Sequence, residues 1–94
     1  MSSPSLGFFD RDERLQAADR LQAEYFKGVL EAQRDQVEAE IAEHSQSLAM
    51  NERHDDTWGA KREGRIIRAL EREKRTVLLL IEAIEHRFRS LETN

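Results

Sequence analysis

Ninety-four residues allow one small domain, and 38% hydrophobic, 36% charged and 6% aromatic residues with four Gly and one Pro suit long amphipathic helices better than a β-sandwich. The absence of Cys excludes disulfides, thiolate metal sites and a Cys nucleophile. A net charge of −4 argues against a general nucleic-acid binder while leaving room for a local basic patch, so nucleic acid is a possible but not a favoured partner.

The first stretch, MSSPSLGFFD, has no positive n-region and no 7–15-residue apolar core, so it does not read as a signal peptide. Residues 1–9 read as a tail, because Ser2, Ser3, Pro4, Ser5 and Gly7 disfavour regular structure. Leu6, Phe8 and Phe9 are apolar enough to fold back on the helix ends or to dock into a partner. Helix 1 is expected from about Asp10, as N-cap, to about Ala49, with Glu13 at the capping-box position. Leu15, Ala18, Gln22, Tyr25 and Val29 keep a 3-4-3-4 spacing. Phe26, Leu30, Val37 and Ile41 form a second stripe displaced by one residue. Gly28 interrupts the helix at a cost of ~1 kcal/mol relative to Ala.

The segment MNERHDDTWG, about 50–57 with its flank, carries turn and cap chemistry, and Asp56 or Thr57 can cap helix 2. Helix 2 is expected over about 58–91. Its residues Ile67, Leu70, Lys74, Val77, Ile81, Ile84, Phe88 and Leu91 keep the a/d spacing of a heptad, which calls for a helical partner along its length. Pairing residues whose numbers add to 106 sets Leu15, Ala18, Gln22, Tyr25 and Val29 against Leu91, Phe88, Ile84, Ile81 and Val77. The acidic stretch 31–43 then faces the basic stretch 61–75, net −4 against net +4, which favours this alignment over a slipped one. The expected fold is therefore all-α, an antiparallel two-helix hairpin.

A hairpin buries one stripe per helix, yet helix 2 is apolar nearly all round at Val77–Ile81. Leaving Leu78, Leu79 and Leu80 in water forfeits several kcal/mol at roughly 1.5–3 kcal/mol per large side chain. The simplest remedy is a homodimer, two hairpins forming a four-helix bundle, with Phe26, Leu30, Leu78, Leu79 and Leu80 as the self-association residues. The longest apolar run has five residues, far short of a membrane span, so a cytoplasmic protein without membrane contact is expected.

Lys61, Arg65, Arg68, Arg72 and Arg75, spaced 4-3-4-3, form an outward cationic line about 20 Å long. It fits phosphates or an acidic partner, or is a solvated face; no aromatic residue interleaves it to suggest base stacking. At the bend lie Asp55, Asp56 and Trp58; the Trp either caps the last core layer with Leu48 and Ile66 or anchors a partner. Glu40–His44 and Glu82–His86 are i, i+4 pairs able to hold a metal, but the Glu-x-x-His of di-iron bundles is missing, and no cofactor is expected. No Gly-rich phosphate loop and no Ser beside an oriented base is present.

With acidic residues at the bend of an antiparallel coiled coil, the string HDDTWGAKREGRIIRALE resembles the coiled-coil finger of Gre and DksA-type factors, which enters the RNA polymerase secondary channel. The resemblance implies Asp55 and Asp56 near the polymerase metal. It covers a pattern rather than a motif, without the second globular domain or a zinc ribbon. Trp58-Gly59-Ala60 at the bend also resembles the secreted Trp-x-Gly helical hairpins, with the Gly displaced and the C-terminal Tyr-x-x-x-acid signal absent. Neither assigns a family. The expected function is a non-enzymatic interaction or adaptor hairpin that self-associates and binds a macromolecular partner. The alternatives are a regulator of transcription machinery or nucleic acid acting through the tip or the basic face, and a metal-binding bundle.

Overall fold

A computed structural model describes the backbone of residues 3–92 and the side chains of residues 13–90. Helix α1, Ser3–Arg53, and helix α2, Thr57–Glu92, run antiparallel as a rod of 82 × 16 × 14 Å. Cross-helix pairs such as Gln33–Glu73 and His44–Glu63 define the alignment. The end carrying the bend is called the tip, and the other the open end.

Helix α1 is longer than the sequence suggests at both ends. Its backbone is helical from Ser3, so Asp10 lies within the helix rather than at its start. Pro4 does not prevent this, because the N–H it lacks has no intrahelical partner in a first turn. The packing expected of Leu6, Phe8, Phe9 and Leu91 falls outside the described side chains. At the other end the helix continues through Arg53, leaving only His54, Asp55 and Asp56 to reverse the chain.

The seam of α2 is the expected one. Leu70, Val77 and Ile81 are buried, and Ile67, Lys74, Ile84 and Phe88 half-buried. The α1 seam differs from the expected one. Leu15, Ala18, Gln22, Tyr25 and Val29 are all exposed, Tyr25 at 69%. The residues turned towards α2 are Ala23, Lys27, Leu30, Arg34, Val37, Ile41, His44 and Leu48 at 4-3-4-3 spacing, which keeps Leu30, Val37 and Ile41 of the second stripe. Phe26, expected in that stripe, is instead 48% exposed, and Lys27 takes its place. The axial alignment is nearly the expected one: Gln33 Nε2 donates to Glu73 Oε1 over 3.3 Å. The error lies in rotation of about one residue, or 100°, about the α1 axis.

The tip half explains this choice. Continued towards the bend, the first stripe presents Ala32, Gln36, Ala39, Glu43 and Gln46, whereas the second presents Val37, Ile41 and Leu48. Only the second offers branched apolar groups to Ile67 and Leu70. A continuous helix carries that rotation through to the open half, where Lys27 and Arg34 occupy seam positions. Their long stems lie along the seam while the charged heads leave it: Lys27 reaches Glu85 at 3.6 Å and Arg34 reaches Asp35 at 3.2 Å. On α2, Lys74 reaches Glu38 at 3.4 Å. These partly exposed pairs contribute at most about 1 kcal/mol each.

The buried apolar core is thin. Val77 and Val37, 2% and 3% exposed, lie at its centre. Truncating Val77 to Ala is expected to cost about 2 kcal/mol. Leu79→Ala, two residues along at 65% exposure, is expected to change stability by under about 0.5 kcal/mol in dilute solution. Thermal melts at low micromolar concentration compare the two; equal losses would contradict the observed seam.

Candidate functional site

Two interlocked caps build the tip. Asp55 N–H donates to the Glu52 carbonyl at 3.2 Å and Asp56 N–H to the Asn51 carbonyl at 2.8 Å. This pair of bonds closes the α1 C-terminus as a Schellman motif. It requires a left-handed residue at Asp55, whose φ is 55°; Asp tolerates that region better than most non-glycine residues. The next residue starts α2: Asp56 Oδ1 accepts from Gly59 N–H at 2.9 Å, an N-cap. Gly59 is buried, and a Cβ there would collide with the Asp56 carboxyl and the Asn51 amide. Of the two acids, Asp56 is thus engaged inward as the cap while Asp55 stays at the surface.

Trp58 does not cap the core. It is 81% exposed, because Gly59 holds the seam position and the preceding residue points about 100° away from it. Met50 is also exposed at this end. The cationic line is outward as expected: Lys61, Arg65, Arg68, Arg72 and Arg75 are exposed, and none of their side chains has an ion-pair partner among the described residues. One step back from Lys61 along the same spacing is Trp58, and one step beyond Arg75 is Leu79, also exposed. The line therefore carries an apolar group at each end. The spacing that links them is present in the sequence, but it becomes informative only once both ends are seen to be exposed.

The expected self-association residues divide. Phe26, Leu30 and Leu80 line one open groove with Val29, Ala83 and Ile84, on a single flank shared by both helices. Leu79 faces outward, away from α1. Leu78 stands one heptad before Glu85 and so belongs to the opposite flank, where Lys27 bridges to Glu85. The three leucines consequently do not form one surface. Gly28 makes no close approach within the chain, since a Cβ there would meet nothing within 4 Å.

His44 pairs across the seam rather than along its own helix. Its Nδ1 lies 2.5 Å from Glu63 Oε2, and Glu63 is the buried charged residue of the seam, 8% exposed. Neither Glu40–His44 nor Glu82–His86 forms a hydrogen bond. No group of three or more His, Cys, Asp or Glu side chains that could hold a metal occurs among the described residues. No helix among those residues is long and apolar enough to cross a membrane. No protein-family model, curated protein or solved structure matches this chain.

Two stability measurements probe these arrangements. Asp55→Gly relieves the left-handed backbone and is expected to raise stability by about 1 kcal/mol, whereas Gly59→Ala expels the Asp56 cap and lowers it by at least as much. In a double-mutant cycle, His44→Leu alone leaves the Glu63 carboxylate buried without its partner and costs about 1–3 kcal/mol. His44→Leu with Glu63→Leu is expected to recover that loss; additive losses in urea unfolding would show that the two side chains are not coupled.

Proposed function

We propose that this chain is a non-enzymatic interaction module, a helical hairpin that pairs with a second copy through its open half and holds its tip half out to a macromolecular partner. The observation that carries the reading is the uneven distribution of exposed apolar side chains. Among the described residues, Leu15, Leu21, Tyr25, Phe26, Val29, Leu78, Leu79 and Leu80 are exposed large hydrophobics, all in the open half; Met50 and Trp58 are the others, both at the tip. Setting aside Leu78 and Leu79, which face other directions, the remaining six present on the order of 650 Å² at roughly 200 Å² for a fully exposed large side chain, above the largest apolar patch of a typical monomer and approaching what each partner buries in a stable complex.

Geometry favours the Phe26–Leu80 flank for the contact. Its groove is lined by six apolar residues from both helices with Arg87 as the one charged side chain, whereas the opposite flank carries Leu78 beside the Lys27–Glu85 and Lys74–Glu38 ion pairs. Aligned on the His44–Glu63 pair, the last residue of α2, Glu92, falls level with Leu15 of α1, so roughly 18 Å of α1 runs past the end of α2. A lone helical stretch of that length is marginal in water and gains from a neighbour. The tip half, rich in charge and poor in exposed apolar groups, gains little from a second copy. Overlapping open halves with the tips pointing apart meets both conditions and forms a four-helix bundle only in the middle.

Sedimentation at micromolar concentration is expected to give a dimer. Phe26→Glu with Leu80→Lys is expected to weaken self-association at least 100-fold while circular dichroism stays helical, since both side chains lie outside the hairpin's own seam. Leu78→Glu, on the other flank, is expected to have a much smaller effect. A stable wild-type monomer would overturn the proposal.

A further inference from the structure

We infer that the outer face of α2 from Trp58 to Leu79 docks an acidic helical segment of another protein, one with carboxylates at three- and four-residue spacing and apolar residues at both ends. The inference rests on the reading of the chain as an interaction module and names the chemistry of its partner. Six side chains, Trp58, Lys61, Arg65, Arg68, Arg72 and Arg75, repeat at 3-4-3-4-3 along one exposed face, and Leu79 follows at the next step. The five cations have no ion-pair partner among the described residues, so their charge is available to an incoming group. Four of the five are Arg, the side chain whose planar fork engages a carboxylate through two parallel hydrogen bonds.

Spacing selects the class of partner. Successive cations advance by about 5 Å along a straight axis. Carboxylates at the same three- and four-residue spacing on an α-helix advance identically, so a helix laid alongside stays in register over the whole line. Duplex phosphates advance by about 3.4 Å per strand on a path that winds away from a straight rod. A single strand would gain from stacking on successive aromatic side chains, and this line holds one aromatic residue, at its end. Trp58 and Leu79, about 31 Å apart by helical rise, bracket the charges and give an apolar contact at each end. Glu71, beside Arg68, Arg72 and Arg75 on the same helix, disfavours an indiscriminate polyanion and sets a point that a partner must leave uncharged or basic.

Trp58 is the chain's single Trp, so its emission reports on this site alone. The probe is a fluorescein-labelled synthetic helical peptide with Glu at three- and four-residue spacing and Leu at both ends. A peptide of the same composition in scrambled order, a 20-nucleotide oligo-dT, a short DNA duplex and phosphatidylserine vesicles are titrated in parallel. The expected result is a blue shift of Trp58 emission and a rise in anisotropy with the ordered peptide. Affinity is expected to fall at least tenfold for Arg65→Gln with Arg72→Gln, several-fold for Trp58→Ala, and with added salt. No binding, equal binding of the scrambled peptide, insensitivity to these substitutions, or preference for nucleic acid or vesicles would each overturn the inference. Sedimentation of the same sample separates the two levels. A dimer that ignores the peptide refutes only the partner class, and a monomer that binds nothing refutes the module as well.

Discussion

The rotation of α1 about its own axis is the constraint on which the rest of this molecule depends. It is set near the tip, where Val37 and Ile41 turn towards Ile67 and Leu70, Leu48 lies opposite Gly59, and the His44–Glu63 pair sits between these two layers. A polar pair inside a mostly apolar seam contributes more to alignment than to stability, because any slip or rotation leaves a buried carboxylate without its partner. The bend adds to this: with three residues between the helices, and the Schellman bonds and the Asp56 cap sharing adjacent residues, it has little freedom to rotate either helix. A continuous helix carries the resulting rotation along its length.

The open half follows from that rotation. Lys27 and Arg34 are drawn to seam positions, while Leu15, Tyr25 and Val29 are turned to the surface. The chain thus combines a polar-dotted seam, fixed by the tip, with an apolar outer surface that the hairpin itself does not cover. The same α2 rotation that buries Val77 and Ile81 places Trp58, the cations and Leu79 on the opposite face. An apolar flank at one end and a charged line towards the other therefore follow from one packing decision, and on our proposal they serve two different contacts.

Much of this was legible in the sequence. The α2 heptad from Ile67 to Phe88, the antiparallel alignment, the capping of α2 by Asp56 or Thr57 and the outward cationic line all follow from local spacing and residue chemistry. The α1 face was not, because two stripes one residue apart compete and the apolar content of Leu15–Val29 favours the losing one. The decision is made some ten residues away, where the losing stripe runs into Ala32, Gln36, Ala39 and Glu43. Trp58 was ambiguous for a related reason: whether it covers the core or leaves it depends on Gly59 taking the seam position, which the close approach of Asp56 and Asn51 requires. The division of Leu78, Leu79 and Leu80 among three directions follows from helical geometry once the seam is known.

The most direct test of the account is the distance between tips in the assembled protein. The chain has no Cys, so Glu52→Cys places a single spin label beside the bend for pulsed electron–electron resonance. Overlap of the open halves with tips apart predicts a separation of about 90 Å and no distances below about 60 Å. Tip-to-tip distances of roughly 20–30 Å, as two rods lying side by side in parallel would give, would contradict it.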